Sequence, residues 1–159
     1  MGKGLLNYTT EIEAYKTINE IQQTLAVNGA KSILSNYNKA GQIEALSFSI
    51  DVNGKELGIK LPCDKQPVLR VLEEQVRQGK IRSGYANEDQ ALRVAWRIVK
   101  VWIDAQMAIL QTKMVKMEQI FLPYMVTKNG QTLFETLNES GFKMLGSGDQ
   151  PVEGEVIQP

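Results

Sequence analysis

The sequence predicts a single α+β domain over residues 1–145, in which a small antiparallel sheet with a central hairpin packs against helices, one of them long and apolar. Three observations carry this. Leu46, Phe48 and Ile50 alternate with smaller residues, Leu57, Ile59 and Leu61 alternate again, and Asn53-Gly54, a dipeptide suited to a type I′ turn, lies between the two runs. Ile18, Ile21 and Leu25 recur at helical spacing. From 88 to at least 112 the chain is almost wholly apolar outside one stripe of Arg93, Arg97, Lys100, Asp104 and Gln111.

Taken in order, Leu6, Tyr8, Thr10 and Ile12 alternate across 5–13 and predict a short strand. Thr17 with Glu20 three residues on forms a capping-box pattern, so the first helix is expected over 17–27, stopped by Asn28-Gly29. Ser32–Tyr37 reads as a strand, Asn38 to Gly41 as a turn, and 42–51 as the first arm of the hairpin. Pro62 ends the second arm. Pro67, Val68, Val71, Leu72 and Val76 predict a helix over 66–78, closed by Gly79. Asn87, with Gln90 three positions on, caps the long helix. Pro123 interrupts the run IFLPYMV, and Thr132 with Glu135 opens a last helix to about 139, where Gly141 stops it. Residues 146–159, rich in Gly and Pro with no apolar periodicity, read as a disordered acidic tail.

Composition narrows the chemistry. The formal charge is zero, but the tail holds Asp149, Glu153 and Glu155 and no base, so the body carries 18 bases against 15 acids, a charge of +3. That is short of a strongly nucleic-acid-binding balance. Histidine is absent, which excludes Ser-His-Asp and Cys-His catalysis and every histidine-ligated metal. One cysteine, Cys63, allows no internal disulfide, and Asp64 beside it opposes thiolate formation. No GxGxxG or GxxxxGK[ST] pattern occurs. The pairs Glu11/Glu13, Glu73/Glu74 and Glu88/Asp89 lack metal-site spacing and read as solvent-facing. No cofactor, no metal and no enzymatic activity are expected. With no signal peptide and no clean apolar span, the expected compartment is the cytoplasm and no membrane partner is expected.

The arginines point to a ligand. All five, at 70, 77, 82, 93 and 97, fall within 28 residues, whereas the 13 lysines are spread along the chain. A guanidinium matches the geometry of phosphate and carboxylate. Lys80, Arg82 and Tyr85 in the loop, with Arg93, Arg97 and Lys100 on one helix face, are the candidate ligand-binding set. The competing assignment makes Arg93 and Arg97 a solvated stripe paired with Glu73, Glu74, Glu88 or Asp89. Trp96 and Trp102 are either core or interface residues or stacking platforms, and Gln106 is either a satisfied core amide or an interface or ligand contact.

YTTEIEAYKTINEIQQTLAVNGA at 8–30 and QALRVAWRIVKVWIDAQMAIL at 90–110 together resemble a set of small proteins of unknown function encoded by bacteriophages and prophages. The resemblance covers about residues 8–125 and implies a phage accessory protein in a bacterial cytosol; it transfers no catalytic residue. The expectation that follows is a non-catalytic accessory, anti-defence protein that sequesters a phosphate-bearing, nucleotide-like small molecule. The alternative is binding of a host or phage protein, or nucleic acid, through the long helix and basic stripe. A homo-oligomer is also expected, because the long helix offers more apolar surface than the rest of so small a chain can cover.

Overall fold

The computed structural model describes residues 3–146, so the predicted acidic tail lies, apart from Gly146, outside the described residues. Among these residues the architecture is α+β: a three-stranded antiparallel sheet and five α-helices. The elements are α1 (Ala14–Val27), β1 (Ser32–Tyr37), β2 (Ile43–Val52), β3 (Lys55–Lys60), α2 (Lys65–Arg77), α3 (Glu88–Gln111), α4 (Met117–Phe121) and α5 (Leu133–Glu139).

The hairpin follows from its turn. Asn53 and Gly54 both take positive φ, 55° and 82°, and Asp51 Oδ1 accepts from the Gly54 N–H at 2.8 Å. This register sets Phe48 opposite Ile33 on β1 and Ile59 on β3, so one face of the sheet is a continuous apolar surface with Leu46 and Ile50. The β3 side is extended by the chain after Pro123: Met125 bridges Ile59, and the Val126 N–H donates to Gly58 O at 2.8 Å. β1 forms the opposite edge.

The core sits between that face and two helices. Ile18, Ile21 and Leu25 of α1 and Trp96, Val99, Ile103 and Met107 of α3 pack on it, with Phe121 set edge-on to Phe48 at 5.1 Å. A second, smaller cluster joins Leu72 of α2 to Ile81 and Ala91. α2 and α1 both pack along α3, which is therefore the central beam.

Three expectations need correction. The segment 5–13 is a turn rather than a strand: Asn7 has φ 64°, and the N–H groups of Tyr8 and Thr10 close back on Leu5 and Asn7. α1 starts at Ala14, a turn earlier than the Thr17/Glu20 box predicts, and its N-cap Glu13 makes no side-chain cap. α3 is long, 24 residues, but amphipathic, so the expected long apolar helix is not what is found. Its buried residues form one broad face, and Val101, Ala105, Ala108 and Ile109 are exposed. A small sheet, α1 and α2 suffice to cover the remainder.

Candidate functional site

The six candidate residues fall into two groups with different surroundings. Arg93, Arg97 and Lys100 lie on α3 beside α1. Arg97 Nη1 donates to Thr17 Oγ1 at 3.1 Å and to Glu20 Oε1 at 2.9 Å. Arg93 donates through Nε and Nη2 to Gln90 Oε1 at 3.0 and 2.7 Å, with Glu13 Oε1 at 3.7 Å. Lys100 Nζ pairs with Asp104 at 2.6 Å. All three cations thus have acidic neighbours inside the fold. The acidic partners of the two arginines come from α1 and its approach, not from the acid pairs of α2 or α3. Of those pairs, Glu74 binds Arg77 and Glu88 binds Lys65. These bonds hold the Glu74 and Glu88 carboxyls below the usual carboxylate range.

Lys80, Arg82 and Tyr85 come together elsewhere. α2 ends in a Schellman motif: Gly79, at φ 72°, donates to Val76 O and Lys80 N–H reaches back to Gln75 O at 2.9 Å. That bond fixes where Lys80 leaves the helix. Arg82 then precedes a 3-10 turn, Ser83–Tyr85, held by Tyr85 N–H to Arg82 O at 3.1 Å and by Asn87 Nδ2 to Gly84 O at 2.9 Å.

The fourth member, Tyr8, was invisible to sequence spacing. Its ring meets Tyr85 edge to face at 5.2 Å between centroids. Gly4 permits this, because a Cβ there would lie 2.5 Å from the Tyr8 ring and 2.9 Å from Ile81. Leu5 N–H donates to Gln75 Oε1 at 3.0 Å, and Gln90 Nε2 donates to the Tyr8 and Thr10 carbonyls at 2.7 and 2.9 Å. Tyr8, Gly79, Lys80, Ile81, Arg82 and Tyr85 line a basin of about 480 Å³. Among the described residues neither Lys80 nor Arg82 has a carboxylate at ion-pair distance. The basin thus offers two exposed cations and two aromatic rings, a set suited to an anion carried on a flat body.

A larger concavity, about 800 Å³, opens between the ends of β2 and β3, the start of α2, and α5. Its floor includes Leu61, Cys63, Leu92 and Tyr124, while its rim mixes Lys60 and Lys65 with Glu44, Asp64 and Glu135. Three carboxylates against two ammonium groups do not favour an anion. Burial, helped by Asp64, pushes the Cys63 thiol up to about 12, so it is a poor nucleophile.

Trp96 is buried in the core, and Trp102 packs edge-on against Phe121 and Tyr124, so neither is an open stacking platform. Gln106 is only half-buried; the buried amide of α3 is Gln90. No group of three or more His, Cys, Asp or Glu side chains suited to a metal occurs among the described residues. No helix among them is long and apolar enough to cross a membrane. In comparisons with known proteins, no family model, no curated protein and no solved structure matches the chain.

Proposed function

We propose that the chain is a non-catalytic, phage-type accessory protein of the bacterial cytoplasm. In this reading it binds and sequesters a phosphate-bearing, nucleotide-like ligand, with capture of a defence signal as its role. The observation that supports the reading is the basin of Tyr8, Lys80, Arg82 and Tyr85, where two exposed cations, with no carboxylate at ion-pair distance among the described residues, flank an edge-to-face tyrosine pair. Arg82 supplies a planar fork for phosphate oxygens, Lys80 a second charge, and the tyrosine rings a surface for a base or sugar. A volume near 480 Å³ lies in the range of small-molecule sites. The alternative, a protein or nucleic-acid partner bound through the long helix and basic stripe, draws on charges that Glu13, Glu20 and Asp104 already neutralise.

The test is isothermal titration with ADP, ADP-ribose and a cyclic dinucleotide as probes, followed by recovery of the bound compound after denaturation. One probe binds in a fixed ratio to the chain and is released chemically unchanged. Lys80→Ala/Arg82→Ala weakens it at least about tenfold, the equivalent of about 1.4 kcal/mol. A double variant that binds as tightly as the wild type, or the absence of binding by every probe, overturns the assignment. A probe released as a different compound would mark an enzyme instead.

A further inference from the structure

Gly4 packs against Ile81, the residue that separates the two cations of the basin. Ile81 is buried with Leu72 and Ala91, so Lys80 and Arg82 on either side of it are left exposed. A Cβ on Gly4 would stand 2.9 Å from Ile81 Cγ2 and 2.5 Å from the ring of Tyr8, another wall of the same basin. The chain is pinned in this position from both sides. Leu5 N–H donates to Gln75 Oε1 at 3.0 Å, and Tyr8 N–H closes back on Leu5 O at 3.0 Å.

Lys3 leaves that contact as a third cation. Consecutive Cα atoms are about 3.8 Å apart, which puts the Lys3 Cα within about 8 Å of both the Tyr8 ring and Ile81. Its ammonium rides on a flexible four-carbon stem that extends about 6 Å, enough to swing in beside Lys80 and Arg82. Lys3 is exposed and, like those two, has no carboxylate at ion-pair distance among the described residues.

Three cations around one hollow set the charge of what fits there. A phosphate monoester carries at most about two negative charges near neutral pH, and Lys80 and Arg82 balance it. A second phosphate linked to the first adds about one more charge, which is left for Lys3. We propose that Lys3 completes the basin as its third phosphate-binding cation, and that the ligand is a nucleotide whose free phosphate end holds at least two linked phosphates. This inference rests on the reading of the basin as a nucleotide site. It makes Lys3 the residue that tells a terminal diphosphate from a monophosphate or an internal phosphate diester.

The test is isothermal titration of AMP, ADP, ADP-ribose and a cyclic dinucleotide into the wild-type chain, Lys3→Ala, Lys3→Arg and Lys80→Ala/Arg82→Ala, with circular dichroism on each. The wild type is expected to bind ADP at least about tenfold tighter than the other three probes. Lys3→Ala keeps its dichroism and its AMP affinity but binds ADP about tenfold more weakly, so the preference disappears, while Lys3→Arg retains it. A merely structural role for the N-terminal turn would weaken AMP and ADP alike, and that outcome overturns the proposal. So does a Lys3→Ala chain with an unchanged preference for ADP, or a Lys3→Arg chain as weak as Lys3→Ala. A wild type that binds ADP-ribose or the cyclic dinucleotide as tightly as ADP also overturns it. In each of these cases the basin still stands as the nucleotide site if Lys80→Ala/Arg82→Ala loses binding. Absence of binding by every probe overturns the proposal and that reading together.

Discussion

Arg97 and Glu20 are 77 residues apart in the chain and 2.9 Å apart in space, and the same guanidinium nitrogen donates to the fully buried Thr17 hydroxyl. Thr17 and Glu20 have the spacing of a helix cap, yet they sit inside α1 and receive an arginine from α3. One turn away Arg93 donates to Gln90 of its own helix and lies 3.7 Å from Glu13, the N-cap of α1. The two arginines of the stripe thereby tie α3 to α1, while Lys100 pairs within α3.

Replacing Arg97 by Ala should therefore destabilise the fold. Thr17 loses its donor in a buried position, and a charge-assisted bond goes with it, a cost of about 2–3 kcal/mol. Arg97→Lys should recover only part of this, since a single ammonium cannot reproduce the fork. Denaturant unfolding of both variants measures the difference; equal stability of Arg97→Ala and the wild type would return the stripe to mere surface charge.

Gln90 fills four hydrogen-bonding positions with its side chain, two donated to the Tyr8 and Thr10 carbonyls and two accepted from Arg93. Gln90→Leu should leave those carbonyls without their donor and free the N-terminal turn, at about 1–3 kcal/mol. Hydrogen exchange is expected to accelerate over residues 5–13 while the β2–β3 hairpin keeps its protection. Probe binding at the basin should weaken in the same variant, because Tyr8 is no longer held against Tyr85.

The hairpin turn gives a purely conformational prediction. Gly54 has φ 82° with no atom within 4 Å of where a Cβ would stand. Gly54→Ala should cost about 1–2 kcal/mol through the left-handed backbone alone. A thermal melt and an unaltered near-ultraviolet spectrum together check this.

Cys63 supplies a pH dependence. Its folded-state pKa is raised from 9.0 to about 12, so the protonated thiol is favoured by folding. The associated stability is complete below about pH 9 and is lost as pH rises towards 12, with a slope of at most about 1.4 kcal/mol per pH unit. Compared with Cys63→Ala, the wild type should lose stability faster across that window. Parallel curves above pH 9 would mean that the thiol is solvated in the native state.

Much of the secondary structure was already legible in the chain, because its causes are short-range. Alternation and Asn53-Gly54 predicted the hairpin, and the residues placed at 32–37 form β1 with those bounds. Thr132 and Glu135 do form a reciprocal cap, with the Thr132 N–H donating to Glu135 Oε1 at 2.8 Å and holding that carboxyl below its usual range. Each of these depends on residues within four positions of one another. The acidic partners of Arg93 and Arg97, the contact of Tyr8 with Tyr85, and the choice of Gln90 as a brace depend on residues about 80 positions away. A capping-box spacing is satisfied equally by a helix start and by a buried arginine receptor. Which one forms is decided by the helix packed alongside: a guanidinium entering a partly buried helix contact needs acceptors there, and Thr17 and Glu20 are the ones within its reach.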